Sequence, residues 1–589
     1  MARKLSAADA LVDILDREGV THVFGVPGGP ILGLCDAIQR HPRLQLVLTK
    51  HEQGAAYAAF AFAQSTGRLG VCIATLGPGA TNLLAGLPVA AVEGTPVLAI
   101  TGEVQLDGIG HGAHQESSGW FGTPNQNAMF DAVCKKSYLC VDSNRLPHFA
   151  RHAIRLAHSG RPGPVHLMIP SGLFHEKVAY APLSPAQYRL TASAAVDEAA
   201  AARIAARIAS ARAPVLLLGA RSARPSCGAA AEALSSQALM PLAADLSCKS
   251  VVDERHPHYL GCLGVLGHRA AEQFVKQSAD LIVSVGQTFD EISTLGWDPA
   301  FAENRSLIQL DFLEDEIGKV FPISDGSAGC LPALLERIAS HLPTLPEAAA
   351  DTRRSLIAQT LKRNPPFEAG SGKVRSPMPP PSVVEELQAG LPDDAILLSD
   401  SSKWSRWIGR FFQARRGQMV SAHDYEPMGW AVAGALGVKV AHPDRPVVCL
   451  SGDGAFLMSA MELSAAVNHE INVVWLVMND ERLGIIYDLQ KTLFNGRLAA
   501  TTFANPDLVA FAQAMGLEGR RVSEPGELRA ALAEACRAPR SSLIDIRFDP
   551  DVIPALRPRS VLITKGMGLP DPTPGPETTR ALISMLKDR

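Results

Sequence analysis

Several features that mark nucleic-acid-binding, membrane and disulfide-rich proteins are missing from this sequence. Charged residues are only 19% of the 589 residues, and the net charge of −4 is too small to favour nucleic acid or an anionic membrane surface. No apolar run has the length of a transmembrane helix, and the N-terminus lacks the apolar centre of a signal peptide. The ten cysteines are scattered, which is typical of free thiols in a reducing cytoplasm. We therefore expect a cytoplasmic protein without nucleic-acid or membrane partners.

What the sequence has instead is a repeated alternation of strand-like and helix-like segments. Residues 1–182 contain the apolar runs HVFGVP, LQLVLT, LGVCIAT and TPVLAIT, separated by helical patterns. Residues 197–345 repeat this style with PVLLLG, DLIVSVG and SLIQLD, and residues 381–552 repeat it with AILLSD, PVVCLSGDG and INVVWLVMND. Such alternation predicts parallel sheets that are covered by helices. The predicted fold is therefore three doubly wound α/β domains.

Polar and proline-rich segments separate these blocks. A stretch with Ala and Pro near residues 181–196 predicts a first linker. The segment RNPPFEAGSGKVRSPMPPPS has the composition of a second, exposed linker. Residues 553–589, which include GLPDPTPGPETT, predict a C-terminal tail that is too rich in proline to continue a sheet.

The most informative segment begins with the apolar run PVVCLS, which predicts a buried strand. A tight turn, SGDGAF, follows, then a helix, LMSAMELSAAVNHE, and then a strand that ends at Asn479 and Asp480. Ligands of open α/β sheets bind at the carboxyl ends of the strands. Gly452 and Gly454 allow the backbone to approach an anion, and a helix N-terminus favours a diphosphate. Asp453 and Asp480 offer the carboxylate oxygens that Mg²⁺ prefers and commonly shares with phosphates.

A glycine–aspartate turn alone is common, so this prediction depends on the whole strand–turn–helix–strand arrangement. GDGAF followed 26 to 27 residues later by ND resembles the cofactor motif of thiamine-diphosphate enzymes. The resemblance implies that Mg²⁺ is held by Asp453, Asp480 and the backbone carbonyl of Arg482, with Asn479 as a weaker candidate. The residues that it places around the diphosphate are Gly452, Gly454 and Ala455.

A second informative segment, HEQGAAYAAFAFAQSTG, lies in the first block. A strand ends at Glu52 and a helix of small residues follows, so Glu52 taken alone is explained as a helix-start carboxylate that the helix dipole stabilises. Acetolactate synthases and their relatives have a similar segment. The resemblance implies that Glu52 hydrogen-bonds the aminopyrimidine ring of thiamine diphosphate, and a buried carboxyl can share a proton with a ring nitrogen. Glu52 is therefore the first candidate for the catalytic residue.

Further segments extend the resemblance over most of the chain. GVPGGP and TLGPGATNLLAGL resemble the loops around the aminopyrimidine end, PMGWAVAGALG resembles the segment that supports the bent cofactor, and HGAHQES matches a pair that faces the thiazolium ring. Core packing would also explain Met428. A structural role would also explain His114, although a histidine can relay a proton at neutral pH. The remaining candidates are Gly28 and Gln115 for catalysis and Pro27, Gly77, Pro78, Asn82, Ser402 and Lys403 for the cofactor.

Several positions depart from acetolactate synthase. Its middle domain has two arginines in a segment that contacts flavin and the second substrate, where this chain has TFDEI and ends on Ile292. Its GQHQ segment is replaced by residues 402–405. Leu489 takes the place of a tryptophan that selects the acceptor, and Ser171 the place of a substrate-channel lysine. The insertion SSGWFGTPNQNAMF is expected to reshape the entrance. The middle domain is left with three alternatives: FAD, another adenine nucleotide such as ADP, or no ligand.

The resemblance implies a carboligase, in which a 2-oxo acid donor loses carbon dioxide and its acyl anion equivalent adds to a carbonyl acceptor. The departures favour an acceptor different from that of acetolactate synthase. A decarboxylase or C–C lyase without ligation is an alternative within this chemistry. A non-catalytic paralogue that acts as a binding subunit is an alternative of another class, and the intact Glu52 and Asp453 argue against it.

Two further expectations complete the sequence-based hypothesis. A nicotinamide-dependent dehydrogenase is disfavoured, because no GxGxxG follows a first strand with an acidic residue about 20 residues further on. The family resemblance implies a homodimer or homotetramer whose active sites lie between subunits, with Glu52 of one chain near Asp453 of another.

Overall fold

The structure is a computed structural model, and the residues that it describes are 3–190, 196–223, 225–265, 267–367 and 375–552. The predicted tail and part of each predicted linker, residues 191–195 and 368–374, lie outside them. Three six-stranded parallel sheets follow one another along the chain, which confirms the predicted fold class of three doubly wound α/β domains. None of the helices within the described ranges is both long enough and apolar enough to cross a membrane.

The first domain has a sheet with the strand order β3-β2-β4-β5-β7-β6. A short antiparallel pair, β1 with β8, joins the beginning of this domain to its end. The strands are β1 Arg3–Ser6, β2 His22–Gly25, β3 Gln45–Leu48, β4 Gly70–Ala74, β5 Val97–Glu103, β6 Ser137–Leu139, β7 Pro164–Pro170 and β8 Lys177–Tyr180. The helices are α1 Ala7–Arg17, α2 Leu32–Arg40, α3 Glu52–Thr66, α4 Pro78–Leu84, α5 Pro88–Val92, α6 Gln126–Asp131 and α7 Leu146–His158.

The middle domain has the order β11-β10-β9-β12-β13-β14. The order reverses between β9 and β12, and open sheets bind ligands at such a switch point. The strands are β9 Pro214–Leu218, β10 Leu242–Ala244, β11 Tyr259–Cys262, β12 Leu281–Val285, β13 Ser306–Asp311 and β14 Asp325–Ala328. The helices are α8 Glu198–Ser210, α9 Pro225–Ala238, α10 Arg269–Gln273, α11 Leu331–Ser340 and α12 Glu347–Arg363.

The third domain has the order β16-β15-β17-β18-β20-β19. The strands are β15 Ile396–Ser399, β16 Met419–Val420, β17 Val447–Gly452, β18 Val474–Asn479, β19 Glu518–Val522 and β20 Ser542–Arg547. The helices are α13 Pro380–Gly390, α14 Lys403–Phe411, α15 Trp430–Ala441, α16 Asp453–Ser459, α17 Glu462–Asn468, α18 Gly484–Leu493, α19 Leu508–Ala514 and α20 Glu527–Ala535.

The first and third domains share one apolar core, because helix α3 packs on helix α15. Both helices are rich in small residues, so their backbones approach closely. A Cβ atom at Gly437 would lie 1.9 Å from the carbonyl oxygen of Ala58, so no other residue fits there without movement. The rings of Phe60 and Trp430 meet edge to face with their centroids 5.7 Å apart. The two domains are thereby held in one defined arrangement.

Two local predictions differ from the structure near the candidate site residues. The strand before Glu52 ends at Leu48, and Glu52 is the first residue of α3. The segment after PVVCLS is not a six-residue turn followed by one helix: β17 continues to Gly452, α16 begins at Asp453, and a break after Ser459 separates it from α17. Glu52 was predicted at a strand end and Asp453 in a turn, but each is the first residue of a helix. Backbone N–H groups in the first turn of a helix have no partner within the helix.

Candidate active site

The first candidate half-site is built around Glu52 at the start of α3. The side chain of His51 caps this helix by accepting the N–H of Gln53 at 3.1 Å, which places Glu52 in the first turn. Glu52 is only 8% exposed. Its Oε2 accepts a hydrogen bond of 3.0 Å from the side-chain amide of Asn82 on α4. Asn82 therefore holds the carboxylate from the neighbouring helix α4.

Glycines bring two loops close to this carboxylate. A Cβ atom at Gly79 would lie 2.9 Å from Oε1 of Glu52 and 2.7 Å from the Cγ2 of Thr75, and one at Gly28 would lie 2.5 Å from the hydroxyl oxygen of Thr75. The loop that carries Pro27 and Gly28 therefore lies against the loop that carries Pro78 and Gly79. Neither glycine can gain a side chain without displacing its neighbours.

A cavity of about 490 Å³ opens beside these loops. Gln115 has a positive φ of 62° and Gly77 one of 56°, and a Cβ atom at Gly77 would lie 3.4 Å from the carbonyl oxygen of Gln115. The N–H of Gly77 is donated to Oε1 of Gln126 at 3.0 Å. The cavity is lined by Gly28, Gly29, Pro30, Thr75, Leu76, Val104, Gln105, His114, Gln115 and Ser171.

The second candidate half-site lies at the carboxyl edge of the third sheet. Asp453, 1% exposed, is the first residue of α16. Its Oδ2 accepts the backbone N–H groups of Asp480 at 3.2 Å and Glu481 at 2.6 Å, and the side-chain amide of Asn505 at 2.7 Å. Its Oδ1 accepts the N–H of Gly454 at 2.8 Å. The end of β17 and the end of β18 are thus tied together through one carboxylate.

The electrostatics of this edge fit a divalent cation. Burial, together with the negative charge of Asp453, raises the pKa of Asp480 to about 7. Burial likewise raises the pKa of Asp453. Oδ1 of Asn505 is buried and has no hydrogen-bond donor among the described residues. A cation between the two carboxylates would remove this charge repulsion, so the residues present fit the predicted Mg²⁺.

The other predicted metal ligands lie in the same loop. The amide of Asn479 is used within the protein, since it donates to Asp545 at 2.8 Å and accepts from Asn505 at 2.9 Å. The side chain of Arg482 pairs with Asp551 at 3.1 Å. The predicted metal ligand is the backbone carbonyl of Arg482, which this ion pair does not use. Within the described ranges, no cluster of three or more His, Cys, Asp or Glu side chains has a metal-binding arrangement. A cation held here needs oxygens from the backbone and the diphosphate in addition.

The predicted diphosphate residues surround this edge. Ser402 caps α14. A Cβ atom at Gly452 would lie 3.2 Å from the Cβ of Ser402, so the two residues are neighbours. A Cβ atom at Gly454 would lie 2.8 Å from Leu483. The N-terminus of the nine-residue α14 offers unpaired N–H groups to an anion. Lys403 is buried, and its ammonium is held by Asp488 at 2.8 Å and by the carbonyl of Pro550 at 2.8 Å.

Met428 lies in the segment that connects α14 to α15. It is half-buried and precedes Gly429, which donates its N–H to Asp400 at 3.0 Å. A Cβ atom at Gly429 would lie 3.0 Å from the carbonyl oxygen of Ala455. Met428 is therefore held next to the first turn of α16.

The structure assembles two separate groups rather than one. Glu52, Asn82 and the residues of the 490 Å³ cavity belong to the first domain, and the groups around Asp453 belong to the third. Within the described residues, no hydrogen bond or ion pair joins the side chain of Glu52 to that of Asp453 or Asp480. Of the positions that depart from acetolactate synthase, Ser171 lines the cavity, Leu489 is half-buried on α18, and Ile292 is 44% exposed in the middle domain.

Three side chains that the sequence did not single out contact these groups. Gln126 holds Gly77, although it belongs to the segment predicted as an insertion. Asn505 holds Asp453 from 52 residues away. Glu462 accepts backbone N–H groups immediately before Glu52. Each of these contacts joins distant parts of the chain, so no local motif announces it.

The middle domain is closed at its switch point by its own side chains. Arg221, after β9, pairs with Asp311 at 2.7 Å and donates to the carbonyl of Gln287 at 2.5 Å. Gln287 in turn donates to Asp245 at 3.0 Å, and burial raises the pKa of Asp245 well above its usual range. A cavity of about 290 Å³ lies next to this network, where Arg161 of the first domain meets Arg221. These residues do not fit a dinucleotide laid across the switch point.

Comparison with known proteins matches each sheet to a part of one family. The thiamine pyrophosphate enzyme N-terminal TPP binding domain matches residues 5–123, the central domain matches residues 201–338, and the C-terminal TPP binding domain matches residues 400–546.

Full-length relatives agree with these matches. The chain is 32% identical to an acetolactate synthase of Arthrospira platensis over 94% of this chain and 96% of the relative. It is 30% identical to a probable acetolactate synthase large subunit of Methanococcus aeolicus over 95% of each chain. It is also 30% identical to a putative thiamine pyrophosphate-containing protein of Bacillus subtilis over 93% of this chain and 92% of the relative.

Proposed function

The chain belongs to the thiamine pyrophosphate enzyme family and is an acetolactate synthase-like, thiamine-diphosphate-dependent enzyme, and from this premise we propose that it ligates a decarboxylated 2-oxo acid to an acceptor other than a small 2-oxo acid. The observation that carries the acceptor part of the proposal is the 490 Å³ cavity, whose lining contains Gln105, His114, Gln115 and Ser171 but neither Lys nor Arg among the described residues. A small anionic acceptor would find no permanent positive charge on this wall.

The roles of the residues follow from their positions. Asp453, Asp480 and the carbonyl of Arg482 would hold Mg²⁺, and the N-terminus of α14 would bind the diphosphate. Thiamine diphosphate, when bound, supplies a thiazolium ring that acts as an electron sink. Glu52 would hold and release a proton at the aminopyrimidine, with Asn82 keeping Oε2 in place at 3.0 Å. The small residues around Gly28 and Gly79 would exclude water from this proton.

Two cations of the third domain that stand as replacements for the missing arginine and lysine are already paired. Lys403 is neutralised by Asp488 and Arg482 by Asp551. Ile292, at the position where the resemblance places an arginine, carries no charge, and a charge-assisted hydrogen bond is about twice as strong as a neutral one. The acceptor carboxylate that such an arginine would bind therefore loses its partner. This supports an aldehyde, thioester or larger carbonyl acceptor.

Arg406, on α14, is a third cation, and it provides a direct test of the proposal that the acceptor is not anionic. It follows Lys403 by one turn of α14 and is half-buried, and burial lowers the pKa of its guanidinium. Within the described residues it forms no hydrogen bond or ion pair, although Glu426 and Asp488 are near enough to influence it. If the acceptor carries an anionic group, Arg406 is the side chain that would meet it.

Two half-sites in one chain support an active site between two subunits. Leu457, Met458 and Met461, on and beside α16, are 38%, 59% and 56% exposed next to the candidate metal ligands. Apolar side chains exposed together near a site are typical of a covered surface. We propose a homodimer or homotetramer in which Glu52 of one copy faces the Asp453 group of another.

We propose no flavin step for this enzyme. The middle domain lacks arginines between residues 288 and 292, and Arg221 is occupied by Asp311 at the switch point. The cavity of about 290 Å³ beside it is at the lower limit for a drug-sized ligand. An adenine nucleotide of modest size remains the better match than a flavin dinucleotide.

Product analysis tests the proposal. The purified enzyme with thiamine diphosphate and Mg²⁺ is given pyruvate alone and pyruvate with neutral aldehydes or thioesters, and the products are identified by mass spectrometry. We expect a neutral acceptor to raise turnover at least about tenfold, the change that corresponds to about 1.4 kcal/mol. Arg406→Leu should change the KM for that acceptor less than about threefold. Fast acetolactate formation from pyruvate alone, or a tenfold rise in KM for the Arg406 variant, would contradict it.

A further inference from the structure

A buried glutamate of the third domain holds the chain immediately before Glu52. Glu462, the first residue of α17, is 2% exposed. Its Oε1 accepts the backbone N–H of Lys50 at 3.1 Å and of His51 at 3.0 Å, and its Oε2 lies 3.1 Å from the same N–H of Lys50. One carboxylate thus accepts from two consecutive peptide groups, and the second of them ends at His51, the residue before Glu52.

The far end of α17 extends the same contact. His469, which follows the last residue of this helix, accepts the backbone N–H of Leu48 on its Nε2 at 2.8 Å. A Cβ atom at Gly54 would lie only 2.4 Å from Oε1 of Glu462, so this glycine in α3 makes room for the carboxylate. The short helix α17 therefore spans the whole segment from the end of β3 to the first turn of α3.

Charge at this contact connects Glu462 to Glu52. Burial raises the pKa of Glu462 to about 7, the N–H groups of Lys50 and His51 lower it, and the charge of Glu52 raises it. The two carboxylates are therefore close enough to influence one another without touching. This influence is additional to the mechanical link through the backbone.

We propose that Glu462 is a positioning residue: through Lys50 and His51 it sets the direction in which the Glu52 side chain points, and it ties that direction to the domain that holds the metal ligands. Peptide groups are planar, so holding the N–H groups of Lys50 and His51 orients the two peptide planes that precede the His51–Glu52 peptide bond and restricts the path of the chain into Glu52. A misplacement of about 1 Å at a catalytic group can cost about a hundredfold in rate. This inference rests on the proposed function of Glu52.

A purely structural role for Glu462 is the competing explanation, and it predicts a different result. The packing of α3 on α15 already holds the two domains together through an extensive apolar core. Loss of Glu462 should therefore leave the domains associated. What it should change is the order of residues 48–52 and the reactivity of the cofactor, at unchanged cofactor affinity.

Three substitutions separate these explanations. Glu462→Met keeps the volume but removes the acceptor, Glu462→Asp withdraws it by one methylene, and Glu462→Gln keeps an oxygen that can accept at the Oε1 position. Glu470→Gln, at an exposed position just beyond α17, is the matched control. Two quantities are measured: hydrogen–deuterium exchange at C2 of bound thiamine diphosphate, and amide exchange of residues 48–54 in the enzyme without cofactor.

We expect Glu462→Met and Glu462→Asp to slow C2 exchange by about tenfold or more while the cofactor Kd changes less than about threefold. Amides 48–54 should exchange about tenfold faster, since two N–H groups lose their acceptor. Glu462→Gln should recover most of the rate, and Glu470→Gln should behave as the unchanged protein. If Glu462→Met does not fold, Glu462→Asp carries the test.

Wild-type C2 exchange in a folded variant, or a loss of exchange that merely follows loss of cofactor binding, would overturn the inference. The two proposals remain separable. If Glu52→Gln also exchanges at the wild-type rate, the assigned role of Glu52 fails. If Glu52→Gln is slow and the Glu462 variants are not, only the role of Glu462 fails.

Discussion

The first and third domains have the same strand order but different polar groups at the edge where ligands bind. Numbered from one within each sheet, both read 2-1-3-4-6-5. In both, the connection from the third strand to the next helix contains glycine, one variable residue, glycine and alanine, at residues 77–80 in the first domain and 452–455 in the third. The variable residue is Pro78 in the first domain and Asp453 in the third. One scaffold thus presents a neutral turn in one place and a carboxylate in the other.

This difference determines which element supplies the carboxylate at each edge. Pro78 opens α4 without an N–H of its own, which suits the first position of a helix, and Gly79 beside it leaves space that Oε1 of Glu52 fills. At the third domain the same turn supplies the buried charge itself. The first edge therefore borrows its carboxylate from the preceding helix, α3, whereas the third edge carries its carboxylate in the turn. The residue between the two glycines is therefore uncharged at the first edge and a buried carboxylate at the third.

The largest expected effect comes from making the third edge as neutral as the first. Asp453→Ala removes the carboxylate that joins β17, β18 and Asn505, and we expect the affinity for thiamine diphosphate with Mg²⁺ to fall by about a thousandfold, roughly 4 kcal/mol. Chelation of the metal followed by gel filtration should release the cofactor from the unchanged enzyme. Calorimetric titration measures the change in affinity, and the cofactor content of the protein fraction after gel filtration measures the release.

Asp507→Asn provides the control for this experiment, because Asp507 is an exposed carboxylate that caps α19 through the N–H groups of Val509 and Ala510. It should leave cofactor affinity unchanged. Cofactor retention by Asp453→Ala after chelation would show that the third edge is not the metal site.

The next effect concerns the borrowed carboxylate of the first edge. Glu52→Gln keeps the shape and a partner for Asn82 but cannot hold and release a proton, so we expect C2 exchange of bound cofactor to slow by about a hundredfold. Cofactor affinity should change little, since Glu52 is not one of the proposed metal ligands. The exchange rate is followed by NMR after acid quench.

Glu93→Gln is the matched variant for Glu52→Gln. Glu93 is another glutamate of the first domain that contacts the third, through the N–H of Asp424 at 2.9 Å, but it does not contact Glu52. Its loss should not alter C2 exchange. If C2 exchange is as fast in Glu52→Gln as in the unchanged enzyme, the proposed proton-transfer role of the first edge is wrong.

The comparison also shows what sequence patterns can and cannot predict. The apolar runs around β2, β4, β5, β17 and β18 have the expected burial, because alternating strand and helix periods are local properties of the sequence. The break between α16 and α17 was missed because small residues and methionines continue a helical pattern through it. The clamp of Glu462 on Lys50 joins residues 412 positions apart, and no periodicity encodes such a contact.

The candidate site divides in the same way. The proximity of Asp453 to Asn479 and Asp480 was predictable because these residues lie within one βαβ unit. The ion-pair partners of Lys403 and Arg482 were not predictable, since Asp488 lies on α18 and Asp551 follows β20. Shape complementarity between the domains determines these partners, and it is a property of the folded chain.

The smallest expected effect concerns the pH dependence of stability, in which the two domains have opposite signs. Burial raises the pKa of Asp400, in the third domain, to about 7, and lowers that of His166, in the first, to about 3. The folded state binds the Asp400 proton more tightly than the unfolded state does, so between pH 4 and pH 7 this group lowers the free energy of unfolding as the pH rises. His166 lowers it as the pH falls from about 6.5, because there only the unfolded state is protonated.

Asparagine resembles a protonated Asp400, which lets one variant test one arm of this comparison. Oδ1 of Asp400 accepts the N–H groups of Ser401 at 2.8 Å and Gly429 at 3.0 Å, and an amide oxygen can do the same. Oδ2 accepts the hydroxyl of Ser451 at 2.9 Å, which an amide nitrogen can meet as a donor because a hydroxyl oxygen also accepts. We therefore expect Asp400→Asn to come closest to the unchanged protein near pH 4 and to be more stable than it by about 2 kcal/mol or more near pH 7.5. Urea unfolding of the cofactor-free protein at several pH values measures this difference, and stability curves that stay parallel over the whole range would show that Asp400 is not the group that titrates.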